Sequence, residues 1–529
     1  MRLRLGFLSI LTLSVSLALI GQPPDEQEAP AQQEAASSAP QTGVKGKAPE
    51  KGDKGKESKE PPEKPPVVTH HEIRVGGKTL KYTATAGLMP LKNAEGETEA
   101  HIFFMAYTLE GAPASPHRPL TFCFNGGPGS SSVWLHMGAI GPRRVRLQPD
   151  GGMPRPPFEL EDNQATWLDR TDLVFIDPVG TGYSRPAKKE LGKKFWSVKG
   201  DIESVGQFIR LYLTRYERWT SPLFLAGESY GTTRAAGLSG YLIENGIALN
   251  GIVLVSTVLN FETLEFTKQN DLPYVLYLPS YTATAWYHKK LPPDLQKQTL
   301  QKIVAEVKQW AGTDYALALN EGDRLTEAAR KAVAARLARY SGLSESFVLR
   351  ANLRVKQWEF CKELLRDENR SVGRFDSRFT GIDESGVTAA PDYDPSLAVV
   401  RPPFTSAFNQ YIRAELNYQT DETYYILGGG FKEWDWGSAE EGFPNVSPDL
   451  RSAFVKNPYM KLLVVEGYYD LATPFYAVDY TLDHLGLDPS LRGNATTRQF
   501  NAGHMVYIES QSLDQLKRDV VEFMDSATK

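Results

Sequence analysis

An α/β architecture, a mostly parallel and doubly wound sheet carrying an inserted, mainly helical cap, is what this sequence predicts. Three observations carry it. Short apolar runs with the composition of buried strands, Leu120-Thr-Phe-Cys-Phe124, Leu173-Val-Phe-Ile176, Ile252-Val-Leu-Val255 and Leu462-Leu-Val-Val465, alternate with helix-like segments. A further run, Pro222-Leu-Phe-Leu-Ala226, leads straight into Gly227-Glu228-Ser229-Tyr230-Gly231. In a G-x-S-x-G elbow the glycines let a strand turn sharply into a helix and leave the serine hydroxyl exposed at the turn. Finally, the last two strand-like runs are separated by a long helix-patterned stretch that no sheet requires.

Taken from the N-terminus, Met1-Arg-Leu-Arg4 is positively charged and Leu5 to Ile20 is apolar, interrupted only by Gly, Ser and Thr, which reads as a signal peptide over residues 1–21. Cleavage is expected after Ala18 or Gly21, and the chain is expected to be exported, to a periplasmic or extracellular location. The alternative is an uncleaved anchor, the one form of membrane contact the sequence suggests, although the run falls short of the ~20 residues a spanning helix needs. Residues 22–66 are built from Pro, Ala, Gln, Glu, Lys and Gly with no aromatic residue, so they cannot bury a core and are expected to be a disordered linker. The α/β core is expected in two segments, the first over 67–260. It opens with alternating runs at His71–Val75, Leu80–Thr85 and His101–Leu109 and contains a helix from about Lys199 to Trp219 ahead of the elbow strand. The cap covers 261–449, with helical patterns at Pro292–Trp310 and Leu325–Tyr340, and the second core segment covers 450–529.

Composition narrows the classes. The chain has 529 residues, 41% hydrophobic and 23% charged, with a formal net charge of -5, a balance that gives no reason to expect nucleic acid or an anionic membrane surface as a partner. The two cysteines, Cys123 and Cys361, are too few for a disulfide framework; one bridge and two free buried thiols are both open. No Cys/His cluster has the spacing of a metal site, and no metal or cofactor is expected.

Serine needs a base within hydrogen-bond reach and a third group to fix that base's tautomer. Asp470, in Val464-Val-Glu-Gly-Tyr-Tyr-Asp470, follows an apolar strand, and His504, in Asn501-Ala-Gly-His-Met-Val506, sits in a loop with glycine freedom. The order Ser229, Asp470, His504 is that of the α/β-hydrolase fold. Of the 8 histidines, His484 also follows Asp470, but it belongs to a helix-like segment ending at Leu485-Gly486, as do the rival acids Asp479 and Asp483. An oxyanion requires two preorganised N–H donors. The amide of Tyr230 is one, and the glycine loop Asn125-Gly-Gly-Pro-Gly129 after a strand should supply the other.

Five blocks, Asn125-Gly-Gly-Pro-Gly-Ser-Ser131, Asp177-Pro-Val-Gly-Thr-Gly-Tyr-Ser184, Gly227-Glu-Ser-Tyr-Gly231, Gly467-Tyr-Tyr-Asp470 and Ala502-Gly-His-Met-Val506, resemble the signature blocks of the serine carboxypeptidases, in that family's order. The resemblance implies an exopeptidase that removes the C-terminal residue of a peptide substrate through an acyl-enzyme. It implies Ser229 as nucleophile, His504 as proton shuttle and Asp470 as its orienting acid. Gly127 and Tyr230 would form the oxyanion hole, while Asn125 and Glu228 would hydrogen-bond the terminal carboxylate. Glu228 must be protonated to donate.

Three positions depart from the family pattern. Ala139 stands where a second glutamate shares a proton with the one beside the nucleophile, which removes one reason for Glu228 to stay neutral. Arg143 or Arg144 is the candidate replacement anchor, against a solvated pair. Ser130 replaces a usual cysteine, and Tyr507 replaces a common proline, with little effect expected. Three other readings stay open: a proline-iminopeptidase-like aminopeptidase, an esterase or acyltransferase on the same scaffold, and a noncatalytic binding protein. Asn125 before the loop and a glutamate before the serine count against the first, and an intact triad counts against the last.

Overall fold

The computed structural model describes residues 63–112, 118–437 and 442–529. The segment read as a signal peptide, and the linker up to residue 62, lie outside them. Regular structure begins with β1 (Val67–Val75), β2 (Lys78–Lys92) and β3 (Thr98–Leu109), an antiparallel meander. There follow β4 (Leu120–Phe124), a small hairpin β5 (Arg143–Val145) and β6 (Leu160–Asp162), then β7 (Asp172–Ile176), β8 (Arg185–Pro186), β9 (Leu223–Ser229) and β10 (Gly251–Thr257). A second two-stranded ladder, β11 (Ser371–Val372) and β12 (Thr380–Gly381), lies in the insertion, and β13 (Lys461–Gly467) and β14 (Ala495–Phe500) end the series.

The main sheet runs β1-β2-β3-β7-β4-β9-β10-β13-β14, with β8 paired to β3. The β3–β7 pair is antiparallel, and every pair from β7 to β14 is parallel. The apolar runs are buried on both faces because successive residues point to opposite sides. Cys123, Phe175, Phe224, Val253, Leu463 and Val465 face one layer, which is closed by the helices Pro395–Ala414 and Ser510–Ala527. Phe122, Val174, Leu225, Ile252, Leu254 and Val464 face the other, against the helices Val198–Arg215, Tyr230–Glu244 and Ser447–Lys456.

Several boundaries move for local reasons. The helix expected to reach Trp219 starts at Val198, capped by the Ser197 hydroxyl accepting from the Gly200 amide at 3.0 Å. It stops at Arg215: Glu217 adopts φ 54°, and the Arg218 guanidinium turns back to donate to Asp172 at 2.7 Å. The Pro292–Trp310 pattern is two helices, Pro293–Gln296 and Leu300–Trp310. β2 is far longer than its apolar alternation suggested, because β1 and β3 both pair with it.

The insertion between β10 and β13 has its own core, in which Tyr277, Tyr281, Ile303, Trp310, Leu337 and Phe360 pack together. It is not only a cap: helix Pro395–Ala414 buries Phe404, Phe408, Tyr411 and Ile412 in the sheet's own core. Cys123 and Cys361 are both free and buried, and burial pushes both thiols well up. Among the described residues, no helix is long and apolar enough to cross a membrane, and no group of His, Cys, Asp and Glu is gathered as a metal site.

Candidate active site

Five neighbouring parallel strands, β4, β9, β10, β13 and β14, end at one edge of the sheet, and the residues singled out from the sequence lie at or after the ends of β4, β9, β13 and β14. Ser229 closes β9 with φ 59° and ψ -132°, a left-handed backbone costly for a side chain-bearing residue, and Tyr230 opens the next helix. The amides of a first helical turn have no intrahelical acceptor, so the Tyr230 N–H is available at the elbow. The glycine loop after β4 lies directly on it: a β-carbon at Gly126 would stand 2.3 Å from the Tyr230 nitrogen. Only glycine permits that approach. Gly127, next in the loop, has φ 99°.

Asp470 lies just past β13 and is fully buried. Its Oδ1 accepts from the amides of Ala472 at 2.7 Å and Thr473 at 3.0 Å. Its Oδ2 accepts from the Thr473 hydroxyl at 2.7 Å and lies 2.7 Å from His504 Nδ1. A carboxylate so surrounded by donors holds the imidazole with its proton on Nδ1. The other ring nitrogen, Nε2, is buried with no hydrogen-bond partner among the described residues. The loop carrying His504 is tied to β10 by the Ser256 hydroxyl, which donates to the His504 carbonyl, and the next residue of β10, Thr257, is in register with Ser229.

A segment of the insertion, 374–378, clasps both loops, and nothing in the sequence pattern singled it out. The Phe375 carbonyl accepts from the His504 amide at 2.6 Å, and the Arg374 carbonyl accepts from Leu471 at 3.0 Å. Ser377 donates to the Tyr469 carbonyl through its amide and its hydroxyl, each at 3.0 Å. Asp376 accepts from the Gly503 amide at 3.2 Å while paired with Arg378, which itself reaches the Asn501 carbonyl at 2.7 Å.

Glu228 is buried beside the serine, and burial pushes its carboxyl up to about 7, against the opposing influence of His504. The missing second acid therefore does not leave it ionised in the acid range: desolvation, with a smaller push from Asp470, supplies what a like charge at Ala139 would have added. Tyr507, expected to matter little, donates its hydroxyl to Glu228 Oε2 at 2.6 Å. Asn125 accepts from the Leu135 amide through Oδ1 at 3.0 Å, and its side chain lies near enough to Glu228 and Tyr507 to favour the ionised form of each. Asn125 is further held through its carbonyl by Arg234 at 2.6 Å, and Arg234 forms a buried ion pair with Asp201 at 2.7 Å.

The suggested anchors Arg143 and Arg144 are committed elsewhere. Arg143 pairs with Asp162 at 2.5 Å and Glu415 at 3.2 Å, and Arg144 lies 3.8 Å from Glu161. Ser130 accepts from the Trp134 indole at 2.8 Å in a purely structural contact. Asp177 fastens the turn after the glycine loop, accepting from the Ser132 amide and hydroxyl at 2.8 Å each, with its carboxyl pushed up to about 6 by burial. His484 caps the helix Phe475–Asp483 at the surface, and Asp479 pairs with Lys308 at 2.5 Å, so neither joins the site.

Comparison with known proteins agrees with this geometry. Residues 76–311 match the family model of the serine carboxypeptidases. The pheromone-processing carboxypeptidase KEX1 of Saccharomyces cerevisiae is 33% identical over 159 residues, 27% of this chain and 20% of its own length. Serine carboxypeptidase S10 family member 1 of Dictyostelium discoideum is 24% identical over 220 residues, 41% of this chain and 48% of its own. Serine carboxypeptidase-like 51 of Arabidopsis thaliana is 29% identical over 187 residues, 33% of this chain and 37% of its own. The matched stretches thus span from a fifth to just under half of these relatives. Among solved structures, the prohormone-processing carboxypeptidase KEX1(delta)p from Saccharomyces cerevisiae superposes with a TM-score of 0.52 at 18% identity, covering 84% of this chain and 91% of that one. Over residues 76–311 the chain thus matches the serine carboxypeptidase family model, and its fold is one that KEX1(delta)p shares.

Proposed function

We propose that the protein is a serine carboxypeptidase, hydrolysing the C-terminal peptide bond of peptides through an acyl-enzyme on Ser229. The observation that carries the reading is the pairing of two devices at one strand edge: the Asp470–His504 couple, 2.7 Å apart, and a buried glutamate, raised to about 7, in the residue before the serine. The first is a base; the second is a neutral donor suited to a carboxylate.

In this mechanism Ser229 Oγ bonds to the scissile carbonyl carbon as His504 Nε2 takes the hydroxyl proton. Asp470 stabilises the imidazolium and remains ionised. The oxyanion is received by the amides of Gly127 and Tyr230. The tetrahedral intermediate collapses as His504 gives its proton to the leaving nitrogen, releasing the terminal amino acid. Water, deprotonated by His504, then attacks the ester carbon, and the proton returns to Ser229. Through the first half, the side chains of Asn125 and Glu228 hold the terminal carboxylate, which restricts cleavage to the last bond. The aminopeptidase and ester-directed readings have no such support, because neither calls for a protonated carboxyl beside the nucleophile.

Export belongs to the same proposal, supported by Arg2, Arg4 and the apolar run Leu5–Ile20; Edman sequencing of the exported protein starting near residue 19 or 22 would agree with it. The activity is tested by mass spectrometry of an N-acetylated peptide incubated from pH 4 to 8. Stepwise loss of single C-terminal residues, abolished in Ser229→Ala, supports the proposal. An intact blocked peptide, with its free-amine form trimmed from the N-terminus, refutes it.

A further inference from the structure

Tyr507 lies in a 3₁₀ turn, Val506–Ile508, directly after the histidine loop, and is completely buried. Its ring rests against the turn that carries Ala139: a β-carbon at Gly138 would come within 2.5 Å of the Tyr507 Cε2. Ala139 brings no polar atom to that wall. The Tyr507 hydroxyl reaches Glu228 Oε2 at 2.6 Å. The phenol O–H donates to Glu228 Oε2, the acceptor within its reach.

We propose that Tyr507 is the positioning residue of the terminal-carboxylate site: by occupying Oε2 of Glu228 it reserves Oε1 to carry the proton offered to the substrate. The inference rests on the carboxypeptidase reading above. A carboxylic acid free to protonate on either oxygen would present its proton to the substrate only part of the time. With Oε2 engaged as an acceptor, the O–H is confined to the other oxygen and the donor is set before substrate arrives. The same contact favours the ionised form of Glu228, so Tyr507 also lowers the pH at which that donor is lost. Besides Tyr507 and Asn125, the groups acting on Glu228 are His504, which favours its charge, and Asp470, which opposes it.

The test is Tyr507→Phe, which keeps the ring and removes the hydroxyl. On an N-blocked dipeptide with a free C-terminus, KM should rise about three- to tenfold, the range of one hydrogen bond, with kcat within about twofold. Hydrolysis of the matching N-blocked amino-acid ester, which has no terminal carboxylate, should be unchanged. The alkaline fall of kcat/KM for the free dipeptide, expected near pH 7 in the unaltered protein, should move to higher pH. An equal loss on both substrates would show a merely structural role and overturn the inference. So would an unchanged KM with an unmoved pH profile. If the unaltered protein does not cleave the free dipeptide at all, the carboxypeptidase reading falls first and the inference with it.

Discussion

Asp470→Asn is the most informative single change, because the surroundings of Asp470 dictate which way the new amide must face. Oδ1 receives two backbone N–H groups, from Ala472 at 2.7 Å and Thr473 at 3.0 Å. An asparagine NH2 in that position would meet two donors with no acceptor, so the amide oxygen must stay there. The NH2 then takes the place of Oδ2, 2.7 Å from His504 Nδ1. It can only donate to that nitrogen, which forces the imidazole proton onto Nε2, the nitrogen required to accept from Ser229. The base is lost while the packing is kept, and losses of about 10,000-fold in kcat, or ~5.5 kcal/mol, accompany such a tautomer inversion. The assay is release of the terminal amino acid from an N-blocked dipeptide, with thermal unfolding of the same samples. Because the folded geometry is retained, the unfolding temperature should move by no more than a few degrees. A fall in kcat below about tenfold would refute the tautomer argument; a large fall matched by loss of folding would show that Asp470 acts structurally.

Thr473→Val removes one of the two side-chain contacts to Oδ2 but leaves both backbone amides, so kcat should drop only about three- to tenfold in the same assay. Arg234→Met strands Asp201 in the core without its partner and should destabilise the protein by about 3–5 kcal/mol in urea unfolding, with Asp201→Asn in the same chain recovering part of the loss. Gly126→Ala places a methyl 2.3 Å from the Tyr230 nitrogen, so labelling of Ser229 by a fluorophosphonate should be abolished while the protein stays folded by circular dichroism. Burial raises the Glu466 carboxyl well above its unfolded value, so the stability it contributes is complete below about pH 4 and is lost as pH rises through the folded value. Glu466→Gln should therefore raise the unfolding temperature at pH 8 relative to the parent, and the gain should shrink toward pH 4.

The features legible in the sequence were those that short-range physics controls. β4 was bounded to the residue, since Leu120–Phe124 is apolar on both faces and flanked by Pro119 and the glycine loop. The elbow, the acid and the histidine were legible because each follows a strand end in a fixed chain order. β14 was not: Ala495–Phe500 is an edge strand with half-exposed Thr and Arg side chains, and its pairing with β13 comes from tertiary contact rather than from an apolar run. The 374–378 clasp was invisible for a similar reason, since it acts mostly through backbone carbonyls that any sequence would present. Tyr507, expected to have little effect in place of a proline, reaches with its hydroxyl a glutamate 279 residues earlier, a contact only the folded chain creates. Arg143 and Arg144, weighed as an anchor against a solvated pair, are instead paired with acids that the β5–β6 register brings opposite them.

Recognition of a terminal carboxylate by Glu228 and Asn125, beside Ser229, is the central claim. The measurement that tests it most directly is the ratio of kcat/KM at pH 5 for an N-acetylated peptide and for the same peptide closed as its C-terminal amide. The free acid should be preferred by about a hundredfold or more, as expected when a charge-assisted contact is lost and its buried partner is left unmatched. Equal cleavage of the two forms, or release of internal fragments from either, would contradict it.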